Sequence, residues 1–187
     1  MATQNMQTKL ATVFDNLKDT FSYKNVMQAP KIEKVIVSTG TGKIDDKRKL
    51  SVIQDRLAKI TGQKASPRPA RMSIASFKLR EGDIVGYQVT LRGERMLTFL
   101  DKLIDVALPQ TRDFRGLNAT AIDEMGNITL GLKDHTIFPE TVNDELQDVF
   151  GLAVTIVTTA KTKEEAEALL RHINLPLKKE EKQSEEN

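Results

Sequence analysis

Three places in this sequence hold residue types that could carry chemistry, and the spacing around each decides what it can do. The first is Gly40-Thr41-Gly42-Lys43, a glycine turn ending in a lysine. Such a turn cradles a phosphate when its neighbours agree, and here they do not. The first glycine of a P-loop would fall on Val37, and the Ser or Thr after the lysine on Ile44. A dinucleotide fingerprint would need its third glycine where Asp45 stands. The stretch is expected to be a flexible turn whose backbone amides are free to meet an RNA phosphate. The second place is the pair of histidines. His135 follows Asp134 near a strand end, and His172 lies in the last turn of a helix, where a cation suits the dipole. Neither has a nucleophile or a second metal ligand beside it. The third is Asp45-Asp46, which could hold magnesium, although adjacent acids that open a helix more simply complement its dipole. These readings argue against an enzyme, and no cofactor or metal is expected.

The chemistry that the residues do support is recognition of a polyanion. Between Gly62 and Arg80 stand Lys64, Arg68, Arg71, Lys78 and Arg80 with no acid among them. The whole chain carries a formal charge of only +2, so binding would depend on segregation of charge. From Lys31 to Arg80 thirteen Lys or Arg face four acids, Glu33, Asp45, Asp46 and Asp55. The compensating acids lie mostly downstream.

Those cations must be held by a fold, and the periodicity of the apolar residues outlines it. Met6, Leu10, Val13, Phe14, Leu17 and Phe21 predict a first amphipathic helix, and Ile32 to Thr39 a strand rich in Val and Ile. Leu50, Ile53, Leu57 and Ile60 make one face of a second helix, closed by Gly62 as a left-handed cap. Pro67 and Pro69 keep the next segment extended, so Gln63 to Lys78 reads as a long loop or loose hairpin with its tip around Arg71 to Phe77. Val85, Tyr87, Val89 and Leu91 alternate with Gly86, Gln88, Thr90 and Arg92, a strand with one buried and one open side. Met96 to Leu108 is an apolar-faced helix stopped by Pro109. Strands are predicted around Ile128 to Leu132 and Leu152 to Thr158, with a short helix between them. Thr162 and Glu165 form a capping box for the last helix, which ends at Asn174 and Pro176.

The sum is an α+β, single-domain sandwich: a mainly antiparallel sheet with helices packed on one face and the other face open. A polar face lined by Gln88, Thr90, Arg92, Asn127 and Thr129, beside a basic loop, suits a shaped RNA with its phosphates and 2′-hydroxyls. A hydrophobic share of 39% and a charged share of 29% place the chain among globular proteins. The absence of cysteine suits a reducing cytoplasm, and no apolar run approaches membrane-spanning length, so no membrane partner is expected. The charged stretch 178–187 is expected to be a disordered tail. Two other readings remain: a protein-interaction module using the charged loop from Arg112 to Arg115, and a nucleotide-dependent enzyme using Gly40 to Lys43.

Several separate motifs in order carry a resemblance. They are Met27-Gln28-Ala29-Pro30, Ile60-Thr61-Gly62-Gln63-Lys64, Ser73 to Lys78 (SIASFK), Val89 to Met96 (VTLRGERM), Ala107 to Leu117 (ALPQTRDFRGL), Gly126-Asn127, Ile137 to Glu140 (IFPE) and Thr155 to Lys161 (TIVTTAK). From about Met6 to Leu177 the chain resembles the 5S-rRNA-binding ribosomal proteins numbered five in the bacterial large subunit. The resemblance implies a structural RNA-binding protein of the central protuberance, in ribosomes of the cytoplasm, with residues 1–177 as the 5S rRNA-binding domain. It implies 5S rRNA contacts at Ser38, Gln63, Thr90 and Arg92, together with large-subunit rRNA as a partner. It further implies that Arg71, Ser73, Ile74, Ser76, Phe77 and Lys78 reach the P-site tRNA. Arg112, Asp113, Phe114 and Arg115 would form an intersubunit bridge to the small-subunit head protein. The chain departs from the family pattern at Ser38, where an asparagine is usual, and at Thr39, Met72 and the turn Asp123 to Met125. The departures at Ser38 and Thr39 are expected to remodel the RNA contact of the first strand with a shorter side chain.

Overall fold

The computed structural model describes residues 5–42, 44, 46–112, 114–141 and 149–178. Its centre is one five-stranded antiparallel sheet in the order β2-β3-β1-β5-β4. The strands are β1 (Ile32–Gly40), β2 (Ser66–Pro69), β3 (Ile84–Leu91), β4 (Ile128–Leu132) and β5 (Leu152–Thr158). β1 lies in the middle and pairs with β3 on one side and β5 on the other, so the first and second halves of the sequence share one sheet. Alternation then sorts the side chains. Val35, Val37, Tyr87, Val89, Leu91, Ile128, Leu130, Val154 and Ile156 are buried on one side, against the helices.

The helices are α1 (Met6–Ala11), α2 (Val13–Phe21), α3 (Lys47–Thr61), α4 (Gly93–Lys102), the short α5 (Leu108–Gln110) and α6 (Lys163–His172). α3 begins at Asp46, whose Oδ1 accepts a hydrogen bond from the Arg48 amide at 2.8 Å, a cap in addition to the dipole role expected of the acid pair; Asp45 lies outside the described residues. It ends at Gly62 with φ of 67°, as the sequence predicts. α6 starts with Thr162 accepting from the Glu165 amide, but the Glu165 carboxylate returns to the Lys161 amide rather than to that of Thr162. Asn174, at φ of 65°, closes the helix, and Leu175 donates back to the Leu170 carbonyl.

Four sequence expectations need correction. The first helix is broken at Thr12 into α1 and α2, and the Thr12 hydroxyl bonds the Lys9 carbonyl in place of the interrupted ladder. Pro109 does not stop its helix. A wide turn of π-helix at Leu103–Ala107, with the Leu108 amide reaching the Leu103 carbonyl, precedes it, and the chain stays helical to Gln110. Proline lacks the N–H that would bond four residues back and its ring needs room there, and the wider turn supplies that room. The stretch after Gln63 is not all loop, because Ser66–Pro69 forms the edge strand β2. The short helix between β4 and β5 is seen only as two 3-10 turns, His135–Ile137 and Pro139–Thr141, with 142–148 outside the described residues.

Those turns seat Phe138, which is fully buried and stacks on Phe99 of α4 with ring centres 6.0 Å apart. Beside it Lys102 links the Ile60 carbonyl at the end of α3 to the Glu140 carboxylate. The IFPE motif is thus a lock between α3, α4 and the sheet.

Candidate nucleic-acid interface

On the side of the sheet away from the core, no helix lies over the strands among the described residues, and register places the outward residues in rows. Ser66, Gln88, Ser38, Ala153 and Gly131 follow one another across all five strands. The adjacent row is Thr90, Ile36, Thr155 and Thr129, in which the two threonine hydroxyls of β4 and β5 lie 3.0 Å apart. The side chains in these rows are uncharged and, apart from Gln88 and Ile36, short, so the backbone of a nucleic acid could lie close to the sheet and meet hydroxyl and amide groups.

Charge is set at the margins. Arg92 continues β3 past the buried Leu91 and so emerges on the open side, at the end of the sheet where Lys34 stands opposite Val157. Gln63 sits at the edge of β3, where its side-chain amide donates to the Thr90 carbonyl at 3.4 Å. The fold therefore brings Ser38, Gln63, Thr90 and Arg92 to one face, although they come from three separate stretches of chain. Gln88, already placed on the polar face by alternation, joins them, as do Thr155 and Lys34, which the sequence reading did not single out.

Two expected face residues are otherwise engaged. Asn127 is tied into the turn before β4, donating to the Asp123 carboxylate at 3.1 Å and accepting from the Thr158 amide at 3.2 Å. Thr39 points to the buried side and donates to the Gly151 carbonyl at 2.7 Å, so its hydroxyl serves packing and not the RNA face. The glycine turn after β1 is also more committed than expected, since the Thr41 amide donates to the Val85 carbonyl at 2.8 Å. Opposite it, Gly86 has to be glycine: a Cβ there would lie 2.7 Å from the Thr39 carbonyl oxygen. Lys43 lies outside the described residues.

The basic loop is a small projecting hairpin. The Ile74 and Leu79 amides bond each other's carbonyls, the turn Ala75–Phe77 forms the tip, and Lys78 closes it at φ of 53°. Every residue from Arg71 to Lys78 is exposed, including Met72 and Phe77 at 70% and 68%. Such large apolar groups are normally buried, and here they project beside Arg71 and Lys78. On the other loop, Phe114 is half-buried against the core while Arg112 and Arg115 are exposed. Asp113 lies outside the described residues.

The histidines take structural roles. His135 is fully buried, stacked on Phe150 at 4.2 Å, with Nδ1 accepting from the Phe150 amide. His172 stands in the last turn of α6, as the sequence predicts, and its Nε2 donates to the Lys9 carbonyl at 2.8 Å, which fastens α6 to the break between α1 and α2. Among the described residues no group of three or more His, Cys, Asp or Glu is placed to hold a metal ion, and no helix is long and apolar enough to cross a membrane.

Residues 25–80 match the family described as "Ribosomal protein L5", and residues 84–177 match the model of the C-terminus of the same ribosomal family. The chain is 50% identical over 167 residues to the large ribosomal subunit protein uL5 of Trichlorobacter lovleyi, across 89% of this chain and 93% of that protein. With its counterpart in Flavobacterium johnsoniae it is 49% identical over 168 residues, across 89% and 92%. With that of Rubrobacter xylanophilus it is 51% identical over 163 residues, across 87% and 91%. Together these matches show that the chain belongs to the ribosomal protein L5 family, structural and non-enzymatic components of the large ribosomal subunit.

Proposed function

We propose that within the large subunit this protein binds 5S rRNA on the open face of its sheet and helps attach it, alongside large-subunit rRNA, in the central protuberance. Ser38, Gln63, Thr90 and Arg92 make the contact. The observation that carries this reading is their convergence on one face whose central rows are uncharged, with Ser, Thr and Gln groups among them, and whose end is cationic. The hairpin from Arg71 to Lys78 reaches the P-site tRNA, with Phe77 and Met72 laid against it and Arg71 and Lys78 answering its phosphates. The loop 112–115 meets the small-subunit head protein at an intersubunit bridge, with Phe114 as its anchor and Arg112 and Arg115 as its exposed charges. Residues 1–177 act as one RNA-binding domain, since β1 joins both halves in a single sheet and Leu177 pairs with Leu117. Lys178 is still held to it, its amide donating to the Leu117 carbonyl at 2.8 Å, and the rest of the charged stretch expected as a tail lies outside the described residues.

Arg92 gives the sharpest test of the sheet-face site. Each phosphate contact releases condensed counterions, so Arg92→Ala is expected to weaken 5S rRNA binding roughly tenfold and to lower the salt slope by about one unit. Gel-shift titrations over a range of salt concentrations measure both. Unchanged affinity and slope would place the RNA elsewhere on the protein.

A further inference from the structure

The start of β1 is irregular. Ile32 pairs with Thr158 and Lys34 with Val157, so Glu33 is an extra residue with no partner on β5, a β-bulge. The insertion lets Ile32 and Val35 both face the core and turns Glu33 and Lys34 both outward, onto the open side. There the Glu33 Oε1 lies 3.2 Å from the Arg92 Nη1 and 3.5 Å from the Lys34 Nζ. The hydrogen bond from Arg92 and the charge of Lys34 hold the Glu33 carboxyl below the usual carboxylate range, so it is ionised throughout the neutral range. All three side chains reach solvent.

A carboxylate wedged between two cations is the opposite of what plain attraction to a polyanion favours. A phosphate that takes Arg92 and Lys34 also approaches Glu33, and it leaves that carboxylate without its partners. A bare backbone offers only acceptors and cannot repair this. A folded RNA that holds a 2′-hydroxyl or a base amino or imino group at this spot can, because these donate to a carboxylate. Resting on the sheet-face reading given above, we propose that Glu33 is a specificity-determining residue of the RNA face. It penalises any RNA that brings only phosphate to Arg92 and Lys34, and it accepts a hydrogen bond from a donor that the correct RNA presents. The bulge is the device that puts it there.

Glu33→Gln tests this, because it keeps the size and the bulge and removes the charge. The side chain is exposed, so the thermal unfolding midpoint should not move. Wild type and variant are titrated against 5S rRNA and an unrelated RNA duplex, which is not assigned to the hairpin 71–78, at two salt concentrations. The expected result is that binding of the unrelated duplex tightens about fivefold at the lower salt, as removal of one nearby like charge predicts, while 5S rRNA binding does not tighten. The preference for 5S rRNA then falls by at least the same factor. If both affinities rise equally, Glu33 acts through bulk charge alone and the inference is overturned; it is equally overturned if neither changes. A wild-type chain with no preference for 5S rRNA would overturn the sheet-face reading itself. A preference that is present in the wild type and kept in Glu33→Gln would overturn only the role of Glu33.

Discussion

Ser38→Glu is expected to reduce 5S rRNA affinity at least hundredfold while leaving the protein folded. Ser38 lies in the row of short side chains that crosses the sheet, opposite Gln88 on one side and Ala153 on the other. No helix covers that row among the described residues, so a longer side chain has room and the core is untouched. A carboxylate there would stand in the path of the RNA backbone. Like charges brought together at an interface cost several kcal/mol, and each 1.4 kcal/mol is a factor of about ten. Ser38→Asn, which lengthens the side chain slightly and adds no charge, should keep binding within a few-fold. Gel-shift titration of both variants, with thermal unfolding as the control for folding, separates the effect of charge from that of size. Wild-type affinity in Ser38→Glu would mean that the RNA does not cross the middle of the sheet.

The largest effect on stability is expected from Phe138→Ala. Phe138 is wholly buried, and its ring stacks on Phe99 with an interplanar angle of 25°. Truncating a buried phenylalanine costs about 3–5 kcal/mol through lost transfer energy and the cavity left behind. A domain of this size is stable by only about 5–15 kcal/mol, so the unfolding midpoint should drop by roughly 10 °C. The loss should loosen the joint between α3 and α4, because the neighbouring Lys102 bridges Ile60 and Glu140 across it. Calorimetry or thermal circular dichroism measures the shift, and Phe138→Leu should fall between the two. A shift of only a degree or two would show that the site collapses around the smaller side chain, and the lock would then be less important than its burial suggests. RNA affinity well below the transition should change little, since Phe138 lies on the far side of the sheet from the proposed contact.

Much of this architecture is legible in the sequence because its elements are periodic. Leu50, Ile53, Leu57 and Ile60 at helical spacing, and Val85 to Leu91 in alternation, announce which side of each element is buried before any coordinates are known. What escapes is set by pairing between distant residues. β2 is hidden because Pro67 and Pro69 show that the segment is extended but not that it pairs; they are tolerated since β2 is at the edge of the sheet, where a missing N–H breaks no central ladder. The bulge at Glu33 is hidden because alternation assumes an unbroken ladder. Its trace is visible afterwards: Ile32 and Val35 are three apart, which is odd for two core residues of one strand, and Glu33-Lys34 fills the gap. Asn127 follows the same lesson, for alternation predicts its side of the strand but not the turn that claims its amide. The partner of Arg92 could not be read at all, since Glu33 lies on another strand and only the register of β1 with β3 brings them together.

Selection of 5S rRNA by the open sheet face is the claim on which the rest depends. Its most direct test is a titration of the purified chain against bacterial 5S rRNA and a tRNA control at two salt concentrations. Tight, salt-sensitive binding with a clear preference for 5S rRNA is the expected result, because the uncharged central rows with their Ser, Thr and Gln groups read shape while Arg92 and its neighbours answer phosphate. Equal, weak binding to both RNAs would contradict it, leaving a generic basic surface and moving the protein-contacting loop at 112–115 to the front.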